Sequence, residues 1–243
     1  MIGLDLGFWQ NHNAPSFDPL SLSPALWLDA SDSATLFQSN GGAAASADGD
    51  PVGYWLDKSG NGRHLTQTSG INKPLLKLAI KNGKNGVLFN GTSSYFTMSN
   101  YTHGSSMTCF RVFERPTSGK RNFTFTNTTA QDTPFLWDSN NKVYVGYGTL
   151  YFEATSANTN SGYFIARSSY TSTSDLACWL NNVAVSGSLS GTPSSALPWY
   201  RYCNTVSLYS LGNVLEDIVF PSALSADNII NMNTYLNTKW ALY

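Results

Sequence analysis

YWLDKSGNGRHLTQ, residues 54–67, crowds an acid (Asp57), two bases (Lys58, Arg63), a histidine (His64) and two glycines into one short stretch. Such a concentration reads either as a reaction or metal centre or as the turn between two strands. The order of residues favours the turn. Asp57 precedes Ser59-Gly60-Asn61-Gly62, so its carboxylate can accept backbone N–H groups across the loop in the manner of an Asx turn. Gly60 and Gly62 can supply the positive φ values. Trp55 and Leu65 then point inward from the two flanking strands.

Outward from this turn the chain continues as short strands and turns. ALWLD (25–29) comes before it, separated by the flexible, glycine-rich QSNGGAAASADGDP (38–51). After it, GVLFN and SYFTM flank Asn90-Gly91, a hairpin or corner signal. SMTCFRVFE (106–114), NFTFT (122–126), FLWD, KVYVGYG (142–148), LYFEA and GYFIAR (162–167) follow. CWLNNVAVSG (178–187) reads as a hairpin turning at Asn181-Asn182, residues that tolerate φ > 0. NVLEDIVF (213–220) closes the series. One helix is expected near the end: Ser225 as N-cap, Asp227 in the first turn, and Ile229, Met232, Leu236 and Trp240 as a single apolar stripe. The opening residues 1–23 differ, with Pro15, Pro19 and isolated apolar anchors. They read as an extended arm whose Phe8, Trp9 and Phe17 need something to pack on.

Composition bounds the function classes. The 243 residues suit one β-rich domain, here 24–243, with 42% apolar and 14% aromatic residues to fill its core. Charged residues are only 12% and the net charge is −1, which leaves no basic surplus for nucleic acid. No stretch nears the ~20 apolar residues that span a bilayer, and the start carries no signal-peptide pattern. Cys109, Cys178 and Cys203 form no metal-binding cluster and read as buried thiols, with a disulfide or a reactive cysteine as the alternative.

LWLDASD (26–32), YWLDKSGNGRHLTQ (54–67), VLFNGTSSYFTM (87–98), CWLNNVAVSGS (178–188) and LEDIVFPSALSADNIINMNTYLNTKW (215–240), in that order, resemble the concanavalin A-like lectin/glucanase superfamily in its laminin-G-like form, common in bacteria and bacteriophages. The resemblance implies an all-β jelly-roll β-sandwich of two antiparallel sheets, with one C-terminal helix and the extended N-terminal arm. It implies that 54–65 is a strand and glycine turn near the start of the sandwich. It also makes Ca²⁺ the cation to consider, held by Asp29, Asp32, Asp57 and Asn61, although no cofactor is required.

Hydrolysis of glycosides needs two nearby carboxyl groups. The glutamates are Glu114, Glu153 and Glu216 alone, and Glu216-Asp217, being adjacent on a strand, face opposite sides. His12, His64 and His103 stand near no nucleophile elbow. Glycan binding asks for an aromatic face beside polar groups. Trp137 with Asp138 in QDTPFLWDSNN (131–141), and Trp199, Tyr200 and Arg201 in ALPWYRYCN (196–204), are the candidates, with core packing as the competing role.

The expectation is therefore a non-enzymatic bacteriophage virion protein, structural or decorating, made in the host cytoplasm and anchored by its arm. Its partners would be other virion subunits or copies of itself, with host-surface polysaccharide as a further ligand and no membrane insertion. A receptor-binding, lectin-like tail fibre or adhesin is the alternative, with a glycoside hydrolase behind it.

Overall fold

Leu211–Phe220 is buried along nearly its whole length, which marks a strand covered on both faces. It lies inside an eight-stranded sheet. Met107–Arg115 pairs along one side of it; Lys84–Asn90 and then Leu26–Asp29 share the other. Beyond Met107–Arg115 come Gly162–Ser172, Asp175–Leu180 and Val183–Ala184; beyond Lys84–Asn90 comes Leu75–Lys81. The computed structural model describes residues 17–115, 122–127, 133–155, 161–172, 175–191, 198–205 and 208–243. All strand pairs among them are antiparallel.

The fold is all-β with one C-terminal helix, in three sheets rather than the expected two. The other two are a six-stranded sheet that includes Tyr54–Trp55, Phe96–Tyr101 and Trp199–Tyr202, and a five-stranded sheet that includes Leu136–Trp137, Lys142–Tyr147 and Leu150–Thr155. All three contribute to one apolar core, where Trp137 meets Phe113 and Phe164, and Tyr202 meets Phe89. The division occurs at Thr124. Asn122–Phe123 belongs to one small sheet and Phe125–Thr126 to the other. Buried between them, Thr124 exchanges hydrogen bonds with Phe135 through backbone and hydroxyl, while its carbonyl accepts from Cys203 N. One residue thus hands the chain from sheet to sheet without leaving its polar groups unpaired.

Asn90-Gly91 makes a corner rather than a hairpin, because the strands it joins lie in different sheets. Asn90 Oδ1 accepts from the N–H groups of Thr92, Ser93 and Ser94. Asn181 and Asn182 do turn a hairpin, both at positive φ (47° and 62°).

The helix Ala226–Trp240 begins where the sequence placed it. Ser225 Oγ accepts from Asn228 N at 3.3 Å. Met232, Leu236 and Trp240 are buried against Trp27, Phe110 and Ile218 on the outer face of the large sheet, each contributing about 1.5–3 kcal/mol of apolar burial. No helix among the described residues is long and apolar enough to cross a membrane. Of the arm's anchors, Phe8 and Trp9 lie outside the described residues. Phe17 packs edge-on against Tyr235 of this helix, with ring centroids 6.2 Å apart. After it the chain is not extended: Asp18 caps a 3-10 turn at Pro19–Leu22, with Pro19 at the first position, where its missing N–H costs nothing.

Candidate functional site

The residues of the glycine turn serve the fold. Asp57 Oδ1 accepts from Trp27 N (3.0 Å) and Ser59 N (2.9 Å); Oδ2 accepts from Ser59 Oγ (2.8 Å) and Arg63 N (3.0 Å). Gly60 and Gly62 stand at φ 85° and 71°. Asn61 Nδ2 donates to the carbonyls of Pro24 and Ala25, and His64 Nδ1 accepts from Asp57 N. A carboxylate filled by four donors is a brace.

Asp29 and Asp32, the other calcium candidates, are bridged by an ammonium: Lys58 Nζ lies 3.0 Å from Asp29 and 2.8 Å from Asp32. Asp57 is turned away to its backbone donors. Among the described residues no three His, Cys, Asp or Glu side chains gather as metal ligands would.

Asp29 is also the register partner of Glu216, a pairing across strands that linear spacing does not reveal. Lys239 Nζ reaches both, at 2.8 and 2.9 Å, so the two carboxylates sit as close as a glycosidase pair. They are nonetheless sealed. Glu216 is 1% exposed, and its oxygens accept from Trp27 Nε1 (2.8 Å), Tyr235 OH (3.0 Å), Trp240 Nε1 (2.7 Å) and Lys239. Burial and the nearby Asp29 charge push its carboxyl up; Asp29, despite its own burial, is held low by Lys239 and Lys58. The cluster clasps the helix to the sheet, and four donors already occupy the oxygens of Glu216.

Asp217 faces the opposite side, into the core. There it pairs with Arg111 at 3.2 Å and accepts from Tyr202 OH. Burial pushes its carboxyl up to about 6. Arg111 also donates to Cys203 Sγ at 3.2 Å. Cys109, Cys178 and Cys203 are all buried and not joined by disulfides. Burial pushes each thiol up, Cys178 to about 12 and Cys203 to about 11.

Trp137 and Trp199 are both fully buried and offer no ring face to a sugar. Two- and four-residue strands carry them inward. Arg115 lies over Trp137, and Phe125 stacks on Trp199. Asp138 caps its own turn, accepting from Asn140 N and Lys142 N. Tyr200 and Arg201 are half-buried neighbours on one strand, in a different sheet from Trp137.

The open polar–aromatic site lies elsewhere, where the large sheet extends past the helix. Arg167 and Trp179 are register partners on Gly162–Ser172 and Asp175–Leu180, and the guanidinium lies 3.4 Å from the indole centroid. Together with the Ser169 and Thr171 positions they floor a groove of about 460 Å³, walled by Leu224, Ile229 and Ile230 beside the helix start. Trp179 is half-buried and Ile230 is 61% exposed. Asp175, at the rim, accepts from Thr171 Oγ1 at 2.6 Å. Period-2 spacing along both strands was the signal available: Arg167, Ser169 and Thr171 alternate with buried residues, as do Asp175, Ala177 and Trp179.

No protein-family model matches the chain, and no curated protein does. Solved structures do. Trypanosoma rangeli sialidase in complex with a difluoro-KDN compound matches with a TM-score of 0.52 and 11% identity, over 89% of this chain and 33% of that one. The same sialidase in complex with sialic acid gives 0.50 and 10%, over 82% and 34%. An arabinofuranosidase complexed with arabinofuranosyl-alpha-1,2-xylobiose gives 0.47 and 14%, over 76% and 50%. This chain thus spans about a third of the sialidase's length.

At such identities the likeness is one of fold. It corrects the expectation of a non-enzymatic bacteriophage virion protein: the sialidase that shares this fold is an enzyme, and neither the virion nor the phage assignment finds a counterpart in it.

Proposed function

We propose that this is a carbohydrate-active protein and that it holds its glycan in the groove between the outer face of the large sheet and the start of the helix. The observation that carries the reading is the pairing of Arg167 with Trp179 on the floor of an open groove. The guanidinium covers one side of the indole; the remaining surface of this half-buried ring offers apolar contact to a sugar, and polar groups beside it fix the sugar's orientation. The groove's size lies within the range of ligand pockets, about 300–1,000 Å³. Support from outside the chain is the fold shared with sialidase, whose own activity belongs to a chain three times as long. The same proposal takes the layering as a concanavalin A-like sandwich whose second layer is divided, a reading supported by the five sequence stretches in the family's order.

A glycan-array screen of the purified chain tests the reading, followed by titration of the hits against Trp179→Ala. Loss of binding in a variant that keeps its melting temperature is the expected result. Binding that is indifferent to Trp179 would remove the groove from consideration.

A further inference from the structure

We propose that Arg167 makes this groove selective for acidic saccharides, a uronate or nonulosonate unit whose carboxylate pairs with the guanidinium. The inference rests on the groove reading above and adds the charge of the ligand. Arg167 is 7% exposed. Among the described residues no oxygen accepts from any of its nitrogens, and no carboxylate pairs with it. The other buried arginines differ: Arg111 has Asp217 and Cys203, and Arg115 has Asn141.

Removing a guanidinium from water without a counter-charge is expensive, and its burial pulls the Arg167 pKa down to about 10. The indole face at 3.4 Å offsets part of that cost. A planar carboxylate matches the guanidinium fork and offsets the rest. One charge answers one charge: a phosphate would bring nearly two, beside the Asp175 carboxylate at the rim. The remaining surfaces also suit a sugar. Ser169 and Thr171 line the same groove for ring hydroxyls, while Leu224 and Ile229 give an apolar wall.

Calorimetric titration of the purified chain with two pairs of probes tests this: trigalacturonate against its carboxyl-reduced counterpart, and sialyllactose against lactose. At least one acid should bind about tenfold or more tightly than its neutral partner. Arg167→Gln should erase that difference, Arg167→Lys should keep part of it, and Trp179→Ala should weaken acid and neutral sugar alike. The uronate and nonulosonate arms separate the two sources of the carboxylate. Equal affinity within both pairs overturns the acidic selectivity and leaves the groove reading intact if Trp179→Ala still weakens binding. Preference for the acid that survives both Arg167→Gln and Trp179→Ala overturns both readings. Failure of both acids to bind the folded wild-type chain overturns the selectivity. Should Arg167→Gln not fold, the paired probes on the wild type and Arg167→Lys still decide.

Discussion

Asp29 and Glu216, partners on adjacent antiparallel strands, share a single ammonium: Lys239 Nζ lies 2.8 Å from one and 2.9 Å from the other. Lys239 stands in the last turn of the helix, so the contact that bridges the two carboxylates, with Lys58 also on Asp29, fastens the helix down as well. Lys239→Met would leave Glu216 buried without a cation and facing Asp29, which keeps Lys58. Such a change should cost about 3–5 kcal/mol, read as a lower urea midpoint, with the Trp27 and Trp240 environments changing in the same transition.

The pH dependence of stability should carry the mark of Asp217. Its carboxyl is raised in the folded chain to about 6 from an ordinary 3.8, so between those values the folded state holds a proton that the unfolded state has released. Stability is therefore full below the lower value and falls as pH rises toward about 6, by roughly 2–3 kcal/mol for this group. The low value of Asp29 acts in the opposite sense, and its contribution is lost only on further acidification. Urea midpoints between pH 4 and 7, compared with Asp217→Asn, isolate the slope. A wild-type curve that rises across this window would contradict the assignment.

Asp57→Ala removes the acceptor of three backbone N–H groups and one hydroxyl. The expected loss is about 2–3 kcal/mol, measured by thermal or chemical unfolding, while sugar affinity in the groove stays at the wild-type level.

The tryptophans should divide cleanly. Trp137→Ala and Trp199→Ala open large holes in the core and should each cost about 3–5 kcal/mol. Trp179→Ala, at a half-buried position on the open face, should cost much less in stability and most in glycan affinity. Melting temperatures and titrations on the same three proteins provide the comparison.

What the sequence made legible was local. The Asp57 turn, the Asn181-Asn182 hairpin and the Ser225 cap are decided within a few residues, and each took its expected form. Register and layering are decided by distant partners. Asp29 meets Glu216 only because Leu26–Asp29 settles beside Leu211–Phe220. Trp137 and Trp199 sit among prolines and polar residues that read as loop, yet strands too short for an alternating pattern turn them inward. Arg167 and Trp179 looked like ordinary strand residues until pairing placed them side by side. The third sheet depends on one threonine whose side chain completes a ladder, something no periodicity records.

The sealed thiols have a consequence of their own. With Cys109, Cys178 and Cys203 unbridged, and their ionisation driven far above neutral, none presents the thiolate that oxidants attack. The described architecture is completed without a disulfide. The chain should fold equally well with or without a reductant, which unfolding midpoints measured in both conditions would check.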